Sequence, residues 1–179
     1  SQFINAQKEG EWHGFHGADR TNKSSETGLL KEWTKSGPGL LFTIEGLGEG
    51  YSSVSIANGV IYTAGLLNNQ TYVFAFDLNG SLLWKKPNGK AWSTTMVHAV
   101  TYTGSRSTPT YNNNKVYHLG ETGRLAVFDA KTGKELWYRE LMEQFEASIP
   151  KYGYAESLVI DGDNLFVRPS GKKGFQICL

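Results

Sequence analysis

Four histidines, one cysteine and seventeen acidic side chains are the groups with which this chain could do chemistry. Their spacing narrows the choice. His13 and His16 in the run HGFH, followed by Asp19, are metal-type donors, but the spacing is too loose to read as a ligand set and no metal is expected. DGDN at 161–164 has calcium-like acidic spacing and lacks the glutamate that completes an EF-hand loop, so it reads as a hairpin turn. GLGEG at 46–50 looks like a phosphate cradle, but a cradle needs a helix after it and another strand follows. His98 and His118 have no serine–carboxylate or cysteine context and read as surface or channel-wall histidines. Cys178, the single cysteine, excludes an internal disulfide and any CxxC motif. No catalytic residue is assigned. The triplets NKS (22–24), NQT (69–71) and NGS (79–81) match the glycosylation acceptor pattern, which arises often by chance in a chain this rich in Asn, Ser and Thr.

What remains is recognition chemistry. Arg106 offers a planar fork that suits a carboxylate or phosphate. Tyr51 and Tyr154 offer flat amphipathic contacts, and Glu156 a countercharge. These four residues are the candidate ligand or partner site. The plainer alternative is an ion pair between Arg106 and Glu156 across neighbouring structural units.

The elements that must position them come from a repeat. FDLNGSLLWKK at 76–86 returns as FDAKTGKELWYRE at 128–140, and 51 residues separate Trp33 from Trp84 while 53 separate Trp84 from Trp137. A second series, beginning at Gly50, Gly104 and Gly153, shows period-two alternation broken by Asn58–Gly59, by NNNK at 112–115 and by DGDN. Asn-Gly pairs accept the positive φ of a tight hairpin. In DAKTG, Asp129 can cap the turn amides while Gly133 takes the left-handed position. Each unit of about 50 residues thus reads as four antiparallel strands, the pattern of a β-propeller blade. The innermost strands are expected at 52–57, 106–111 and 155–160, and each Trp on an outermost strand as a packing plug. The best helix candidate, 140–149, is short and reads as an inter-blade loop. The expected organisation is a lead-in at 1–28, an outer strand at 29–35, blades at 50–86 and 104–140, and an incomplete blade at 153–179. The loops 46–53, 101–107 and 150–157 then ring one face and carry Tyr51, Arg106, Tyr154 and Glu156.

Composition agrees with an all-β chain: 21 Gly, 9 Tyr, 9 Phe and 5 Trp in 179 residues. Eighteen basic against seventeen acidic side chains leave no field that would draw nucleic acid, and the aromatics have no accompanying basic stripe. No apolar run approaches the roughly 20 residues of a membrane span. The polar start, SQFINAQKEG, carries no signal peptide, which reads as a cytosolic or an already processed chain.

Gly123, AVFDAKTGKELW (126–137) and KVYHLG (115–120) together resemble the repeat of quinoprotein-type (PQQ-like) propellers, roughly G-x-L-x-A-x-D-x-x-T-G-K-x-x-W. WHGFHGADRTNKSSETGLLKEW (12–33) is similar to the way secreted bacterial members begin. The resemblance spans about 12–174, and 126–137 is its most specific part. It implies a partial propeller of about three blades, an extracytoplasmic location, and a tryptophan that docks on the neighbouring blade. FDLNGSLLW is one residue shorter than the pattern and lacks Thr-Gly-Lys, and GKKGFQICL stops where the motif should return. The expectation is therefore part of a ring, a ring closed between chains, or a small open solenoid stable by itself, with the open blade edges as a route to self-association. Enzymes of the family bind pyrroloquinoline quinone with calcium, but this sequence has no Cys-Cys pair and no acidic set that maps onto theirs, so neither cofactor is expected. The implied function is a non-catalytic binding or scaffold module with a protein or small-molecule ligand at the loop face. The alternative is part of a PQQ-dependent dehydrogenase whose catalytic residues lie in other blades.

Overall fold

A computed structural model describes residues 10–17, 19–97, 99, 100 and 102–179. His98 and the first nine residues of the expected lead-in lie outside the described residues, as does Thr101 of the second rim loop. The first blade runs β1 (Ser55–Ala57), β2 (Val60–Leu67), β3 (Gln70–Asp77) and β4 (Leu82–Lys90). The second runs β5 (Thr110–Asn112), β6 (Lys115–Leu119), β7 (Arg124–Asp129) and β8 (Glu135–Glu140). Both are antiparallel meanders in chain order. The third blade has β9 (Val159–Asp161), β10 (Asn164–Val167) and, across a loop, the two-residue β11 (Ile177–Cys178) in the third position. The fold is thus a partial β-propeller of three blades, with a third strand in the last blade that the sequence pattern did not show.

Asparagine makes the hairpins. Asn58, the pair Asn68 and Asn69, and the pair Asn113 and Asn114 all adopt positive φ, which a two-residue turn between right-twisted strands requires. Stacking of the blades then buries both faces of the inner sheets. In β7, Ala126 and Phe128 pack with Tyr62, Val73 and Trp84 of the first blade, while Leu125 and Val127 pack with Tyr154, Leu165 and Val167 of the third. All four β7 side chains are buried. In β8 the side chains are exposed apart from half-buried Glu140.

The inner strands begin three to four residues later than the expected 52–57, 106–111 and 155–160. Their first halves bond sideways through hydroxyls. Ser53 N–H donates to Thr108 Oγ1 (3.1 Å), and Thr108 N–H donates to Ser157 Oγ (3.0 Å). Ser107 Oγ–H and Thr110 Oγ–H donate to the carbonyls of Glu156 (2.8 Å) and Leu158 (3.0 Å). Each blade's entering segment is thus tied to the next. Thr108→Val keeps the shape and removes the acceptor for the Ser53 amide, so it is expected to destabilise the chain by about 1–2 kcal/mol. A lower urea midpoint at unchanged m is the readout, and an unaltered midpoint would count against the relay.

Two further expectations change. Residues 29–35 form no strand, and Trp33 is 67% exposed rather than docked. A strand needs a partner edge, and among the described residues none pairs with this stretch. Within 140–149, Leu141–Phe145 is a short helix (α1), anchored by fully buried Leu141. The segment from Trp12 onward runs across the inner strands: Trp12 and Ile56 exchange both backbone hydrogen bonds at 2.8 Å, Tyr111 N–H donates to His13 O (2.7 Å), and the Arg20 guanidinium reaches Ile160 O.

Trp84 and Trp137 lie on the outer strands, but in different surroundings. Trp84 donates its indole N–H to Ala130 O (3.0 Å) and covers the turn that follows β7. Asp129 builds that turn by accepting from Thr132 N–H (2.8 Å) and Oγ–H (2.6 Å), and the Thr132 hydroxyl, followed by its amide, holds the carboxyl below the usual range. Gly133 sits at φ +67°, and a Cβ there would lie 2.7 Å from Trp84 Cδ2. Trp137 is 37% exposed, and among the described residues its indole N–H meets no acceptor.

Candidate loop-face site

Antiparallel order sends the connections 46–54, 91–109 and 141–158 to one end of the blades and the turns at 58–59, 113–114 and 130–134 to the other. Arg106 organises the first end. Its guanidinium donates to the carbonyls of Tyr102 and Tyr152 and lies 4.9 Å above the Trp92 ring. Two loops are thereby pinned to one planar group. Beneath it, buried Glu121 accepts from Thr71 Oγ–H (2.9 Å) and from Trp92 N–H (3.1 Å). Desolvation raises the Glu121 pKa, and those two bonds and the Arg106 charge oppose the rise.

The four residues singled out in the sequence do not converge. Tyr51 is exposed and its ring lies 6.2 Å from Tyr102. The Arg106 fork is spent on backbone carbonyls. Tyr154 is 3% exposed: its ring lies against Gly123, where a Cβ would meet it at 2.9 Å, and its hydroxyl donates to Pro169 O (2.8 Å), so it is removed from the displayed set. Glu156 pairs with Arg168, not Arg106, at 3.5 Å (Oε1 to Nε), and its Oε2 accepts from Arg168 N–H (3.1 Å). The displayed rim is Tyr51, Tyr102 and Tyr152, each about half exposed. Tyr102 and Tyr152 went unremarked in the sequence, although the three tyrosines stand 51 and 50 residues apart. That blade-length spacing was the signal.

A second polar cluster resembles a catalytic triad. His118 Nε2 lies 3.2 Å from Ser105 Oγ, and His118 Nδ1 lies 2.8 Å from Asn88 Nδ2. Its chemistry is nonetheless structural. Arg124 donates to Asn88 Oδ1 (3.0 Å), so the Asn88 amino group faces His118 and donates to its carbonyl (3.1 Å) and to Nδ1. Nδ1 is then the acceptor and Nε2 carries the proton, the wrong tautomer for taking a proton from serine. All three side chains are fully buried. Desolvation, partly opposed by a bond to the Ser107 backbone, pushes the His118 pKa down to about 4.

Among the described residues no three His, Cys, Asp or Glu side chains gather as metal donors. His13 Nε2 meets Glu11 Oε2 (2.7 Å), His16 Nδ1 meets Asn22 Oδ1 (2.9 Å), and Asp19 caps Thr21. Among the described residues, no helix is long and apolar enough to cross a membrane.

Comparison with known proteins follows this architecture. Similar solved structures include a europium-containing methanol dehydrogenase (18% identity, 70% of this chain and 21% of that one, TM-score 0.49). BamB from Moraxella catarrhalis is another (15% identity, 77% and 37%, TM-score 0.48). A third is quinohemoprotein alcohol dehydrogenase ADHIIG from Pseudomonas putida HK5 (20% identity, 70% and 24%, TM-score 0.44). This chain thus spans between 21% and 37% of the length of those three. No curated protein matches it. The family model described as outer membrane protein assembly factor BamB matches residues 17–177, which takes in all three blades. The chain belongs to that BamB-like family of PQQ-like propellers.

Proposed function

We propose that this chain is a non-catalytic scaffold module, working outside the cytoplasm, that binds a protein partner at the loop face. The observation that carries the reading is the rim itself: exposed Tyr51, Tyr102 and Tyr152, with the backbone of the last two held on the Arg106 guanidinium. Tyrosines of this kind give large contact area at low entropic cost, and a pre-organised backbone lowers the cost of binding further. The family description, which names outer-membrane protein assembly, supports a polypeptide as the partner. The Ser105–His118–Asn88 cluster is buried and holds the wrong tautomer, which favours binding over catalysis.

Photo-crosslinking in the native host tests this. A benzophenone side chain replacing Tyr102 or Tyr51 should give discrete protein adducts, and one replacing Lys131, on the turn at the opposite end, should give none. Equal labelling at both ends, or none at the rim, would sink the reading.

A further inference from the structure

The rim needs an anion-binding arginine less than the neighbouring blade supplies one. Arg106, the planar fork legible in the sequence, is fully engaged by Tyr102 and Tyr152. Arg168, just after β10, is not. Its Nε meets Glu156 Oε1 at a long 3.5 Å, and among the described residues no acceptor meets its two terminal nitrogens. Its side chain is 57% exposed. This fork opens into a cleft of about 340 Å³ lined by Pro150, Tyr154, Glu156, Ser170 and Phe175 beside it. Phe175 is 70% exposed, so one wall is an uncovered aromatic face. A cleft of mixed polar and apolar walls, beside a guanidinium whose two terminal nitrogens are open, can orient a ligand by one charge and hold it by contact on Phe175.

We propose that this cleft binds a carboxylate carried next to an apolar side chain on a polypeptide. The carboxylate takes the two terminal Arg168 nitrogens, and the apolar group lies on Phe175 and Pro150. Glu156 sets the selectivity. Its carboxylate already faces Nε, so it repels a second anion placed anywhere but the outer edge of the fork, and it holds the Arg168 backbone through Oε2. The proposal rests on the scaffold reading for the polypeptide source alone, since the cleft chemistry stands apart from the tyrosine rim. Rim crosslinks without carboxylate selectivity would defeat the inference alone, and selectivity without rim crosslinks would defeat the scaffold reading alone.

Calorimetric titration of the full chain with three probes decides it: acetyl-Ala-Ala-Leu as the free acid, the same peptide as its amide, and acetyl-Asp-Leu amide. The free acid binding at least tenfold tighter than its amide supports the cleft with a chain terminus as the source. The aspartyl peptide binding tightest supports it with an acidic side chain as the source. All three probes binding equally, or none binding, overturns it. Arg168→Gln should cost at least tenfold, and wild-type affinity in that variant would overturn the assignment. Glu156→Gln retains an acceptor for the Arg168 amide and should tighten binding severalfold, whereas weaker binding would overturn its role as competitor for the fork. Arg168 is exposed and Glu156 partly buried, and unchanged tryptophan emission would confirm that the variants fold.

Discussion

Replacing Trp84 with alanine is expected to cost the fold about 3–5 kcal/mol, whereas the same change at Trp137 should cost less than about 2 kcal/mol. The two tryptophans occupy matching places in the repeat, so sequence alone would assign them equal weight. Their surroundings differ. Trp84 is 7% exposed, packs its ring 6.0 Å from Tyr62 and 6.2 Å from Phe128, and donates to Ala130 O across the blade boundary. Its removal opens a cavity between two blades whose backbones are held by their own sheets and collapse little. Trp137 meets Tyr117 edge-on at 6.5 Å and leaves its other face uncovered. The chain after β10 reads RPSGKKG and lacks the Asp-x-x-Thr-Gly turn that would receive this ring. Chemical denaturation of the two variants is the measurement. Equal losses would show that the docking turn contributes nothing and that burial within the blade is the whole effect.

Acidification from pH 7 towards pH 4 is expected to remove about 3 kcal/mol of stability through His118 alone. Its folded pKa is pushed down to about 4 from an ordinary 6.5 because the ring is wholly desolvated. Below pH 6.5 the unfolded chain takes up a proton that the folded chain refuses. The stabilisation is therefore intact above about 6.5 and is lost progressively as pH falls to about 4. Glu121 acts in the opposite sense: its pKa is raised by desolvation, so its burial disfavours the fold when charged and that penalty is relieved in acid. That relief offsets part of the histidine contribution, while Asp19, Asp77 and Asp129, whose carboxyls are held low by hydrogen bonds, add to the loss as pH nears 4. Urea unfolding at a series of pH values reads the sum, and the His118 ring resonance reads the histidine separately. A His118 resonance titrating near 6.5 in the folded chain would overturn the buried neutral tautomer on which the non-catalytic assignment of this cluster depends.

The turn chemistry, the strand alternation and the blade period were legible along the chain because each depends on neighbours a few residues apart. Asn58–Gly59 and NNNK at 112–115 announce their hairpins. The loop-face site was legible only as a place. The spacing marks its loops but does not separate the displayed Tyr102 and Tyr152 from the buried Tyr154. Whether a tyrosine is wall or rim depends on what packs across the blade boundary, here Gly123, and nothing in GYAES reveals that contact. The same holds for the arginines. Arg106 meets a carbonyl 46 residues away with its terminal nitrogens, while among the described residues Arg168 meets Glu156 through Nε and keeps its terminal nitrogens open. Two series of turns and tryptophans, readable from spacing alone, determined that this chain would build stacked antiparallel blades. Which polar groups those blades seal, and which they leave open to a partner, was decided only by tertiary contacts, because desolvation and hydrogen-bond partners are properties of the space between blades and not of the strand that carries the residue.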